Sequence, residues 1–457
     1  MTGPSQRRPW LVLSDPFPTR VFVDCGIVSG VAQRLHGNVE LVLVLPEAEA
    51  EAWGRRLAGI PARDPGLLFP AHPGHVDRIS RRLDRLVDAN LGYYPLAVRH
   101  SMREGFYRER MQPGHPNLFL DTRQARRLPR VRAVERALFR WHFSRRRYLP
   151  HALVEAMREE CSGIVAANVQ SLLAVPFLRA AQRLDLPVVG YVSSWDHTVG
   201  KGIVSPHVTR YVVQNEVMRD DLVRHHGVPV ERVVVTGWPQ TDVFHEARPR
   251  AAYEAVLVDL GLDASHPVVL VAGNTPTNAP YEQHLVERLV AWWREAGAGR
   301  FSLLFRPHPR DREWRERFGA ALDVEGIAVQ EPSYTDLETL ATLLQHVDCV
   351  VANAGTILLD AIVNDRPAVC VLYDEGAPAG ERWAELNVTG AHYRELVESS
   401  AFHRARSFGD VAAGIERALA APAELSAERA RVARDVVGEV DGRAAERVVD
   451  AIVEIVG

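Results

Sequence analysis

The stretch SSWDHTVGKG, Ser193 to Gly202, brings together Trp195, Asp196, His197 and Lys201, and Lys201 is the only lysine among 54 basic residues. An imidazole there could take the proton of an acceptor hydroxyl, with Asp196 orienting or activating it. A lysine between Gly200 and Gly202 could meet a diphosphate as a flexible point charge. Trp195 would stand on the acceptor side. The plain alternative is a capped turn with a hydrogen-bonded histidine and a lysine left over from an Arg-biased composition. Chemistry that needs a base and a cation opposite a nucleotide favours the first reading. Asp15, in LSDPFPTR, is a second candidate base, or else an Asx turn before Pro16.

Three further groupings suit phosphate. In LLFRPHPRD, Pro307 and Pro309 stiffen a turn from which Arg306 and His308 project, against the plain reading of a turn with solvated side chains. In VVANAGTILLDAIVNDRPAV, Ala354, Gly355 and Thr356 open a helix whose first-turn amides and Thr356 hydroxyl could hold a diphosphate, with Asp360 four residues on and facing the same side. In VAGNTPTN, Gly273 allows close backbone approach, and Asn274 and Thr275 offer donors. Glu331 and Ser333 flank Pro332 on a loop where a base or ribose could be gripped.

These groups need a scaffold that delivers them to one edge. WLVLS, VELVLVL, GIVAAN, PVVGYV, RYVVQN and RVVVTG read as buried parallel strands, and VVLVAGN, FSLLFRP, CVVANAG and AVCVLYD form a second series. Amphipathic segments such as 281–295 and 336–345 separate them. The fold expected is α/β, with two doubly wound Rossmann-like domains facing a cleft, because open α/β sheets bind ligands at the carboxyl ends of their strands. Residues 1–244 would bind the acceptor, 245–425 would bind the nucleotide, and helices in 426–457 would pack back on the first domain. Gly237 suits a tight strand exit toward the cleft, with Gln240 beside it.

Composition narrows the function classes. A net charge of −4 argues against a nucleic-acid partner. Cys25, Cys161, Cys349 and Cys370 stand far apart, which fits reduced thiols in the cytoplasm and neither disulfides nor zinc. No signal peptide or long apolar run is visible, and no metal is expected. His225 and His226 before Gly227 read as a helix C-terminus whose dipole favours histidine. From Arg123 to Arg147 there are ten arginines and one acid, Glu135, interleaved with Phe139, Trp141 and Phe143. Such a stretch could hold an anionic acceptor, rest peripherally on the inner face of an anionic membrane, or form a solvated helix.

RPHP after a strand, then the run from Asp348 through Asn353, Gly355 and Thr356 to Asp360, preceded by VTGWPQTDVF, resembles the nucleotide-binding half of GT-B glycosyltransferases. The nearest likeness is to CDP-glycerol glycerophosphotransferases of teichoic-acid synthesis and the related UDP-N-acetylglucosamine 2-epimerase superfamily. It spans roughly Val188 to Asp374, with the N-terminal third matching only in pattern. In the glycerophosphotransferases the place of SSWDHTVGKG holds a Trp-His-Gly-Thr type of loop with a catalytic histidine; here Asp196 precedes His197 and the small residues are ordered differently. The likeness implies metal-independent transfer of a sugar from a nucleotide-diphosphate sugar, such as a UDP-sugar, to an acceptor hydroxyl, with no further cofactor. Leaving-group charge would fall to Arg306, Lys201 and the Gly355–Thr356 helix start. Glycerophosphate transfer from CDP-glycerol is a close alternative. Epimerisation of the sugar nucleotide is another, although the Gly-Thr-Arg-Pro-Glu type of opening of that family is missing.

Overall fold

A computed structural model describes residues 7–68, 132–144 and 149–457, apart from Leu172, Thr277, Pro332, Tyr334, Thr335, Thr389, Gly390, Arg394, Glu395 and Val397. The chain divides into two compact units, residues 1–240 with 443–457, and residues 241–442.

In the first unit the β-branched runs form seven parallel strands: β1 (Arg8–Leu13), β2 (Glu40–Leu43), β3 (Ala62–Arg63), β4 (Cys161–Ala166), β5 (Val188–Tyr191), β6 (Arg210–Val213) and β7 (Val233–Val235). Their spatial order is β3-β2-β1-β4-β5-β6-β7, so the chain reverses direction between β1 and β4. At such a switch point neighbouring loops leave in opposite directions and open a crevice at the strand ends. The inner strands β1, β2, β4, β5 and β6 are largely apolar because both faces are covered, while β3 and β7 at the two edges are partly exposed. The last helix, Ala444–Val456, covers part of one face and buries Val448, Ile452 and Val456 in the core with Leu11, Val165 and Val189.

The second unit repeats the plan with β8 (Val268–Ala272), β9 (Ser302–Arg306), β10 (Ile327–Val329), β11 (Cys349–Asn353), β12 (Ala368–Val371) and β13 (His403–Ala405), ordered β10-β9-β8-β11-β12-β13. Its switch point lies between β8 and β11. The helix Leu337–His346 starts where the sequence expects it, because the Asp336 carboxylate accepts the Thr339 amide. The helix Ser426–Val432 packs against Thr356–Val363, within the second unit. Of the segment 426–457, only residues from Arg443 onward therefore join the first sheet. The unit boundary at Gln240 falls four residues before the sequence boundary at Phe244.

Candidate active site

Register places the second unit's polar loops along one edge. Ala272 of β8 pairs with Arg306 of β9 on one side and with Ala352 of β11 on the other. Gly273, Pro307 and Asn353 therefore leave the sheet at one level, and the outer two strands lie about 9.6 Å apart, two strand spacings. Arg306 is buried and donates from Nε to Gln330 Oε1 at 3.0 Å, which fixes the guanidinium plane. His308 Nδ1 accepts the Arg310 amide at 3.0 Å, so a neutral ring carries its proton on Nε2.

The helix Thr356–Val363 begins after Gly355, whose φ of −170° is ordinary extended backbone. A Cβ on Gly355 would find only the Asn353 carbonyl oxygen, at 3.7 Å, so the space on that side of Gly355 is open. Among the described residues, no hydrogen-bond partner accompanies the Thr356 hydroxyl or the amides of Thr356 and Ile357. This is the anion-accepting end of a helix with its first donors unspent. Asp360, one turn on, is buried.

The loop after β8 departs from expectation. Its amides are spent internally: Gly273 donates to the Arg306 carbonyl, Asn274 to Glu282, and Thr275 to Asn274 Oδ1. Gly273, Asn274 and Thr275 thus brace the neighbouring strand ends and do not offer a cradle of backbone donors. Asn274 Nδ2 reaches Asn353 Oδ1 at 3.3 Å and so bridges the switch point. Asn387 Nδ2 donates to the same Asn353 oxygen at 2.5 Å, and Asn353 Nδ2 holds the Val371 carbonyl at 2.9 Å. Glu331 is exposed and paired with Arg315, while Ser333 is half-buried.

The first unit has a matching bridge. Asn168, just past β4, donates from Nδ2 to Asp15 Oδ2, just past β1, at 3.0 Å. Asn168 Oδ1 accepts the Gln170 amide, and Gln170 Nε2 donates to the carbonyls of His197 and Gly202 at 3.2 and 2.5 Å. Gln170 thus clasps both ends of the loop that carries His197 and Lys201. His197 opens a four-residue helical turn, with Nδ1 3.3 Å from Ser193 Oγ and Nε2 3.9 Å from Asp196 Oδ1. Asp196 also accepts the Ser194 hydroxyl at 2.6 Å. Lys201 ends that turn half-buried, and Trp195 is buried.

His226 pins the same turn from below. Its Nδ1 accepts the Val204 amide at 3.0 Å and its Nε2–H donates to the Thr198 carbonyl at 2.8 Å. Burial, the largest influence, pushes its pKa down to about 4. A neutral ring cannot serve the helix dipole. Arg136 and Arg140 do so instead, donating to the carbonyls of Arg224, His225 and Gly227. With the folded pKa below the unfolded one, the stabilisation from His226 is complete above about pH 6.5 and is lost as pH falls through about 4, roughly 3 kcal/mol in all. Urea unfolding of His226→Gln is expected to show a shallower loss of stability across that window; a slope equal to wild type would contradict a buried neutral ring.

Gln240 is placed by the helix Pro16–Asp24. It is buried, and its Oε1 accepts from Arg20 Nη2 at 2.9 Å, tying the chain after β7 to the helix Pro16–Asp24. Gly237 adopts φ +85°, the left-handed turn that delivers Trp238 into the core.

The family model described as CDP-Glycerol:Poly(glycerophosphate) glycerophosphotransferase matches residues 201–454, which include both phosphate-suited turns of the second unit. The chain belongs to this glycerophosphotransferase family. As a member it is a transferase that takes its group from a nucleotide-linked donor. No match is found among curated protein sequences. Among solved structures, this family member is similar to a putative UDP-N-acetylglucosamine 2-epimerase from Listeria monocytogenes, at 12% identity and a TM-score of 0.54, covering 98% of this chain and 96% of that one. It is also similar to the UDP-GlcNAc 2-epimerase from Neisseria meningitidis, at 9% identity and a TM-score of 0.53, covering 98% and 100%. The wall teichoic acid polymerase TagF overlaps 65% of this chain and 74% of its own, at 16% identity and a TM-score of 0.47. The likeness to the two epimerase structures fixes the fold as GT-B.

No group of three or more His, Cys, Asp or Glu among the described residues is arranged to hold a metal, and no described helix is long and apolar enough to cross a membrane. In the basic stretch, residues 123–131 and 145–147 lie outside the described residues. The helix Arg132–Ser144 buries Phe143, which stacks on His207 and lies under the Arg179 guanidinium, while Val134, Leu138 and Trp141 remain exposed.

Proposed function

We propose that this protein transfers the glycerol-phosphate group of CDP-glycerol, or a closely related nucleotide-diphosphate polyol, to an acceptor hydroxyl. The family match over residues 201–454 carries this reading, because it spans the whole donor series from the Lys201 loop through RPHP to the Gly355 turn. Arg306, His308 and the Thr356 turn would hold the diphosphate of the donor.

In the proposed reaction the acceptor oxygen attacks the phosphorus that carries glycerol. One O–P bond forms, the P–O bond to the nucleoside monophosphate breaks, and the hydroxyl proton passes to a base. His197 is suited to that step when Nδ1–H is donated to Ser193 Oγ, which leaves the Nε2 lone pair for the hydroxyl. Asp196, on the Nε2 side, would stabilise the imidazolium. Asp15, held by Asn168, is the alternative base. No step in this scheme requires a metal. Glycosyl transfer from a nucleotide sugar breaks the bond on the other side of the distal phosphate and releases a nucleoside diphosphate. Epimerisation releases no nucleotide-free product at all.

Thermal unfolding with CDP-glycerol and with UDP-, GDP- and TDP-linked sugars tests the donor class, since a ligand that binds only the native state raises its Tm. The reading expects CDP-glycerol to stabilise most. Stabilisation by a nucleotide sugar and none by CDP-glycerol would restore glycosyl transfer.

The acceptor side belongs at an anionic surface on this reading. Val134, Leu138 and Trp141 lie at helical spacing on the open side of a helix held down by Arg136 and Arg140, within a segment carrying ten arginines and one acid. Combined Leu138→Ser and Trp141→Ser is expected to weaken binding to phosphatidylglycerol vesicles by about tenfold, given about 25 cal/mol per Å² of apolar surface. Unchanged binding in co-sedimentation, with no dependence on salt, would mark a solvated helix.

A further inference from the structure

Glu282 opens the helix Glu282–Trp292, and its two carboxylate oxygens accept the Asn274 main-chain N–H at 3.1 and 2.9 Å. The packing there is close. A Cβ on Gly273 would meet Phe305 and Pro307 at 3.4 Å and the Glu282 carboxylate at 3.5 Å. Asn274, anchored by its main chain, extends its side-chain amide to Asn353 Oδ1 and to the Ala354 carbonyl, at 3.3 and 3.5 Å. Ala354 precedes the Gly355–Thr356 turn. A continuous path of hydrogen bonds therefore runs from Glu282 across the switch point to the helix start assigned to the donor.

We propose that Glu282 is a positioning residue of the donor site: by accepting the Asn274 N–H it fixes the Asn274 main chain and, through the Asn274 and Asn353 side chains, sets the Gly355–Thr356 turn. This rests on the donor assignment above and adds to it a proton on which the site depends. Burial is the largest influence on Glu282 and pushes its pKa up to about 8; the Asn274 N–H and Arg317 act the other way, and Asp311 adds to the rise. Arg317 is itself committed, pairing with Asp311 and donating to the Ala279 carbonyl. A raised folded pKa means that the proton is held across neutral pH. Above about 8 an ionised carboxylate would stand behind strand ends that must accept two phosphate charges. The donor's diphosphate has no titration in that range, so the pH profile reports the protein.

The test pairs hydrogen exchange with calorimetry using CDP-glycerol. Glu282→Ala is expected to speed exchange about tenfold at the amides of Asn274 and residues 353–356, and to weaken CDP-glycerol about tenfold at neutral pH. Glu282→Gln, which accepts the same amide and never ionises, should keep wild-type exchange and affinity. It should also remove the fall in affinity, about tenfold or more, that wild type shows from about pH 7 to about pH 9.5. A Glu282→Gln profile that tracks wild type, or Glu282→Ala exchange at residues 353–356 that does not change, overturns the proposal. If CDP-glycerol binds neither wild type nor variants, the donor reading falls, and the exchange measurements alone decide the role of Glu282.

Discussion

His197→Ala is expected to lower kcat by about 10²–10⁴-fold, the usual worth of a positioned general base, while leaving the dissociation constant of the donor within about twofold. The split follows from geometry. His197 lies in the first unit, on a turn fixed by Gln170 to its ends and by His226 to its middle, whereas Arg306, His308 and Thr356, the groups proposed to hold the donor, belong to the second unit. Loss of the imidazole removes the contacts to Ser193 and Asp196 and leaves the Gln170 clasp, which holds main-chain carbonyls, in place. The fold should therefore survive with little change in Tm. Single-turnover kinetics with calorimetry separates the two quantities. A variant with unchanged kcat would shift the base to Asp15, and Asp15→Asn, which keeps the Asn168 contact in altered form, would then show the loss instead.

Gly355→Val is expected to weaken donor binding by about 10- to 100-fold without unfolding the protein. The backbone at Gly355 is extended, which a β-branched residue adopts readily, and the added Cβ meets nothing nearer than 3.7 Å. The N-cap preference costs about 1 kcal/mol, too little to unfold a domain. The new methyl groups would occupy the space in front of the Thr356 and Ile357 amides. A diphosphate kept from those donors forfeits one or more charge-assisted hydrogen bonds worth about 1.5–3 kcal/mol each. Calorimetry with CDP-glycerol reads the loss directly. Equal affinity in the variant would mean that the donor does not use this helix start.

Much of the scaffold is legible in the sequence because fully buried parallel strands leave uninterrupted β-branched runs. AVCV, CVVAN and VVLVA need no partner to be recognised. The strands that escape are β3, β10 and β13, each two or three residues long, partly exposed, and placed at or near a sheet edge where half the pattern is lost. Missing β10 also hides Gln330, the residue that orients Arg306. Within the site, His197, Arg306 and Thr356 stand out as polar residues that follow apolar runs. Their supports do not. Asn274 and Asn353 are 79 residues apart, Asn387 and Asn353 34, and Asn168 and Asp15 153, so no local window contains a pair. One signal was nevertheless present: GIVAAN and CVVAN both close a buried strand with asparagine, the position from which a side chain can cross a switch point. Glu282 and Gln170 carry no such mark, and only the folded chain reveals that one holds the β8 exit and the other the His197 loop.

The reaction itself is tested most directly by identifying the nucleotide set free when the protein turns over CDP-glycerol with a hydroxyl acceptor. Phosphoryl transfer at the glycerol-bearing phosphorus predicts CMP, released in step with acceptor consumed and suppressed in His197→Ala. Release of CDP, which keeps both phosphates on the nucleoside, would contradict it.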